Sequence, residues 1–228
     1  MADKRVGHGI GRSLTGIKLR HERHAIPDIP IAGSRPYGAA CASRFGARTL
    51  RDAVDFVCGC DSQPGPKPDD IHSLLTYGTG TIGAKQALLV ALAIEQEYEG
   101  MELIVACCEL RLPSSSSRQD SGLRRLNTLP MAVCWIRVQD RRLQIFERTG
   151  RPMHSVNPIT ECPVRPEQLS VQRIGLYRTF AADWCRALEA DPLEFARLRA
   201  WQLRASPGTA TYENLLGYGL SPSFAPSV

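Results

Sequence analysis

The chain has 228 residues, 43% hydrophobic and 22% charged, which is enough for one well-filled domain with extended tails. Its net charge of +5 is mildly basic, and no stretch approaches the roughly 18 consecutive apolar residues of a membrane span. Eight cysteines with no secretory apolar run before them point to a reducing, cytoplasmic setting rather than to a disulfide framework.

Residues 1–46 are rich in Gly, Arg and Pro without a clear period, and Lys4, Arg5, Arg12, Lys18, Arg20 and Arg23 outweigh Asp3 and Glu22. They read as a basic, loosely ordered arm, solvated by default, with contact to an acidic partner or nucleic acid as the functional alternative. Residues 47–205 carry the domain. Leu50, Val54 and Val57 stand at helical spacing within Arg48–Cys58, residues 61–68 form a loop, and Asp69-Asp70 offers an N-cap for a short helix through Leu75. Ala84–Tyr98 is built of strong helix formers and is apolar on nearly every side from Ala87 to Ile94, so it belongs in the middle of a core. A glycine-rich turn, Gly78-Thr-Gly-Thr-Ile-Gly83, leads into it. This turn formally matches a dinucleotide fingerprint, but no β-rich strand precedes it, and that reading is rejected.

Met101–Cys108 is an apolar run of strand length, and residues 114–122 are a polar loop. Ala132–Val138 and Arg142–Glu147 are β-rich runs joined by a hairpin at Gln139–Arg141. Gln172–Glu189 has one buried helical face, Asp191-Pro-Leu-Glu194 starts a further helix to about Arg204, and residues 206–228 form a Pro/Gly/Ser-rich tail. Helices, then strands, then helices make an α+β layout.

Gly80-Thr-Ile-Gly-Ala-Lys-Gln-Ala-Leu-Leu89 is similar to the Gly-Thr-Cys-Ser-x-Lys-His-Ala-Leu-Leu of small bacterial transglutaminase-like proteins, within the papain-like superfamily. Asn127–Ile136 resembles that family's Ile-Pro-Glu-Ala-His-Cys-Tyr-Leu strand, and Arg142–Thr149 falls where the family writes a short strand ending in Asp-x-Thr. Pro166–Leu169, Ile174–Tyr177 and Trp184 look like its closing helix. The resemblance implies a buried central helix packed on a small antiparallel sheet. In such enzymes a cysteine at the helix start is activated by the macrodipole, with a histidine and an acid on facing strands.

The positions matching that triad are Ile82, Val133 and Phe146, or Glu147 if the register slips by one. None of the first three ionises, which implies a degenerate triad, a pseudoenzyme, and a former site filled with hydrocarbon. On this alignment Cys134, next to Val133, points to the opposite face. The pocket candidates are Thr79, Thr81, Lys85 and Gln86 around the helix start, Cys107, Cys108 and Glu109 at the end of the first strand, Glu147, and His154. Each also has a plain role: capping for the threonines, loop bonding or solvation for Lys85, core packing for the cysteines, and a surface position for His154. No metal is expected, because the cysteines lack zinc-site spacing, and no cofactor.

The expected function is a binding or scaffold protein taking a small-molecule or peptide ligand near the helix start, or an enzyme that kept the pocket for non-thiol chemistry. A thiol enzyme acting on amide bonds through a relocated cysteine, and a nucleic-acid-associated protein using the arm, remain open.

Overall fold

A computed structural model describes residues 24–60, 69–111, 128–143 and 157–189. In chain order these form α1 (Pro36–Phe45), α2 (Leu50–Gly59), α3 (Ile71–Tyr77), α4 (Ile82–Glu95), β1 (Met101–Arg111), β2 (Thr128–Val138), β3 (Arg141–Leu143), β4 (Pro158–Val164), a 3-10 turn at Pro166–Gln168, and α5 (Leu169–Ala187). The architecture is α+β, as the order of apolar patterns implies.

Residues 24–46, read as part of the basic arm, pack onto the domain. Ile26 is buried, Ile29 and Ile31 exchange backbone hydrogen bonds with Leu50 and Arg48, and Pro30 bridges Thr49. Pro36 occupies the first turn of α1, Gly46 closes it in the left-handed conformation at φ 67°, and Cys41 is fully buried. The amides of Tyr37 and Gly38 donate to the Glu95 carboxylate at 2.8 and 2.9 Å, so a side chain from the end of α4 caps this helix. The expected helix from Asp191 and the tail lie outside the described residues, as do residues 1–23 of the arm.

Local sequence does set α2. Thr49 accepts from the Asp52 amide at 3.2 Å while Asp52 accepts from the Thr49 amide at 3.0 Å, a complete capping box. Thr49→Ala is expected to lower stability by about 1 kcal/mol in urea unfolding. Asp70 caps α3 as expected, accepting from the His72 and Ser73 amides.

Every residue of α4 from Gly83 to Ala93 is buried. The helix begins at Ile82, two residues before the expected start, because Thr81 accepts from the Ala84 amide at 3.1 Å. It ends at Glu95, and Glu97 turns the chain at φ 59°.

The sheet is antiparallel throughout, ordered β3-β2-β1-β4. The hairpin between β2 and β3 turns through Gln139 and Asp140, both at positive φ (45° and 63°), the signature of a type I′ turn. Strand β4 escapes the apolar pattern because it pairs only with β1 among the described strands, is mostly exposed, and holds Pro158 and Pro163.

Alternation gives the sheet two buried faces. Leu103, Val105, Cys107, Ala132, Cys134 and Ile136 pack in clusters with residues of α4 and α5. Ile104, Ala106, Cys108, Met131, Val133 and Trp135 form a separate cluster on the other face, where the Arg142 guanidinium lies 3.3 Å from the Trp135 ring centroid. On α5, Leu169, Arg173, Tyr177, Ala181 and Trp184 make one buried stripe, with an arginine in a position where apolar residues are the rule.

Candidate functional site at the start of the central helix

A polar cluster joins three distant parts of the chain at the start of α4. Thr81, while capping the helix, donates its hydroxyl proton to Asp69. Asp69 sits at φ 58°, a left-handed conformation that aspartate tolerates better than most side chains. From α5, Arg173 directs Nη1 to Asp69 Oδ2 at 3.5 Å and to Cys134 Sγ at 3.6 Å, and Nη2 donates to the Ala132 carbonyl at 3.0 Å. The Arg173 and Asp69 side chains are only 7% and 4% exposed. An ion pair this deep survives because the guanidinium satisfies a carboxylate, a carbonyl and a thiol together; removing either charge strands the other.

Gly83 makes room for the pair. A Cβ there would lie 2.3 Å from Asp69 Oδ1 and 3.0 Å from Arg173 Nη1. The helix therefore meets a carboxylate and a guanidinium at close range at its second residue, and any side chain would collide with them.

Ile82 is half-buried in the first turn of α4. Val133 belongs to the cluster on the far face of the sheet, so the two do not face each other across a pocket. The strand residue turned toward the helices is Cys134, packed with residues of α4 and in contact with Arg173. Cys134 and Val133 do point to opposite faces, with Cys134 on the side of the helices and Val133 on the other.

Thr81 is buried and acts as the cap, and Thr79 is half-buried. Lys85 is buried at 1% exposure, and its Nζ donates to the Cys60 carbonyl at 2.7 Å, tying the last turn of α2 to the first turns of α4. Gln86 is fully buried, and neither atom of its amide has a hydrogen-bond partner among the described residues. An unmet buried polar group costs on the order of 1–3 kcal/mol. Cys107 packs with Tyr177, Ala181 and Trp184, whereas Cys108 lies on the far face and donates to the Met131 carbonyl at 3.6 Å. Glu109 is exposed. Phe146, Glu147 and His154 lie outside the described residues, and with them the proposed Glu109–Glu147 pair.

Four buried thiols are held in their neutral form. Burial pushes Cys134 up to about 11, an effect that Arg173 only partly opposes, and Cys107 likewise to about 11. Cys108 and Cys41 rise to about 12 for the same reason. Thiolate, the nucleophilic form, is scarce at neutral pH under such conditions. Thr81 has a carboxylate as hydrogen-bond partner, yet its oxygen is occupied in capping and the carboxylate is engaged by a guanidinium, an arrangement suited to fixing geometry rather than to attack.

Asp69 and Arg173 are the residues sequence reading missed as a pair, 104 positions apart. A usable signal existed: Arg173 falls in the apolar stripe of its helix, and a buried arginine calls for a carboxylate. No group of three or more His, Cys, Asp or Glu among the described residues is arranged to hold a metal ion, and no described helix is long and apolar enough to cross a membrane. No protein-family model, curated protein or solved structure matches this chain.

Proposed function

We propose that this chain is a transglutaminase-like domain that has lost thiol chemistry and works as a binding or scaffold protein, with ligand or partner contacts made around the start of α4. One observation carries the reading. The helix start is lined by the buried Asp69–Arg173 pair, pressed against Gly83, and the thiol that Arg173 contacts, Cys134, is kept protonated. A helix start serves nucleophilic catalysis when it presents an ionised, reachable group; here the side chains against it are enclosed.

The test is alkylation of the native chain with iodoacetamide at neutral pH, with the modified cysteines mapped by mass spectrometry. Cys41, Cys107, Cys108 and Cys134 are expected to react far more slowly than a free thiol. Because their acidity is weakened, raising the pH toward 9 leaves each of them mostly protonated. One of these four reacting at the rate of an activated thiol would return the chain to the thiol enzymes.

A further inference from the structure

We infer that Gln86 holds an internal water molecule over the first turn of α4, bridging its amide to the Asp69–Arg173 cluster. Gln86 is on the second turn of a helix of 14 residues, fully buried, with both Nε2 and Oε1 lacking a hydrogen-bond partner among the described residues. Helical side chains lean toward the N-terminus, so Gln86 covers the turn that holds Ile82 and Gly83. Gly83 contributes no side chain, and the atoms nearest its missing Cβ are polar ones, Asp69 Oδ1 and Arg173 Nη1. A fully enclosed, unpartnered amide therefore stands one turn beyond Gly83, whose missing Cβ faces a carboxylate and a guanidinium.

The ligand class follows from the chemistry. The free groups on Gln86 are a donor and an acceptor together, which a small neutral molecule that both donates and accepts can meet. Buried waters in proteins sit at such sites, each with two to four polar partners, and their immobilisation costs less than leaving an amide unmet. The inference stands whether or not the binding role proposed above is correct.

Oxygen-17 relaxation dispersion of water, which counts long-lived internal molecules, tests it on the full chain. The unaltered protein is expected to hold one more such water than Gln86→Leu, and a high-resolution crystal structure is expected to show it within hydrogen-bonding distance of the Gln86 amide. Equal counts in the two proteins overturn the inference. So does crystal density in which the amide touches carbon alone or pairs directly with a protein group. Should Gln86→Leu fail to fold, the crystal structure of the unaltered chain decides by itself.

Discussion

Arg173→Met is expected to destabilise the domain by roughly 3–5 kcal/mol, because it takes from the buried Asp69 carboxylate the guanidinium that lies 3.5 Å away. Methionine retains much of the arginine's length and apolar stem, so the loss reports the charge and its hydrogen bonds rather than a void. Asp69→Asn is expected to cost a similar amount from the other side; asparagine tolerates the left-handed backbone at φ 58° as aspartate does, so the backbone adds little. The double variant is expected to be markedly more stable than the sum of the two losses, since it leaves no orphaned charge. Urea unfolding of the four proteins supplies the cycle. Additive losses would mean that the two side chains do not act as a pair.

Gly83→Ala is expected to destabilise by roughly 1–3 kcal/mol, the range for overpacking a close-packed interior. The sign is the informative part. In an exposed helix the same change stabilises by about 1 kcal/mol, since alanine is the better helix former. Here the added methyl would lie 2.3 Å from Asp69 Oδ1, an atom held by Thr81 and therefore unable to swing away cheaply. The same substitution made on top of Asp69→Ala is expected to lose most of its penalty, because the obstructing oxygen is gone. A penalty undiminished in that background would place the crowding elsewhere.

These two sites mark where the sequence was legible and where it was not. Elements whose causes are local were readable. Leu50, Val54 and Val57 stand at helical spacing and mark α2; the apolar run Ala87–Ile94 demands burial, which holds as far as Ala93 while Ile94 is exposed; and the turn at Gln139-Asp140 follows from the β-rich runs on either side. Helix α1 was not readable, because the carboxylate that caps it, Glu95, is 57 and 58 positions away from the amides it holds. Strand β4 was missed because an exposed strand with two prolines carries no apolar alternation.

At the candidate site the difficulty was register. Matching Val133 to a catalytic position assumed that it faces the helices, yet alternation along β2 gives that face to Ala132, Cys134 and Ile136. Nothing within the run Ala132-Val-Cys-Trp-Ile136 sets its phase, as both faces of this sheet are buried and both sets of side chains are apolar. The phase is decided by packing against Arg173, from a helix that follows it by some forty residues. Lys85 shows the same limit in another form: its position in the first turns of α4 left solvation and a bond to a loop both open, and the end of α2 decides by supplying the Cys60 carbonyl.

The most direct test of a helix start closed to thiol chemistry is the urea dependence of Cys134 alkylation, followed by mass spectrometry alongside global unfolding. With Cys134 enclosed behind the ion pair, its labelling is expected to require global opening and to rise with urea along the unfolding transition. Fast labelling of Cys134 without urea, at a rate insensitive to denaturant below the transition, would show a reachable and reactive thiol at the helix start and would contradict the account.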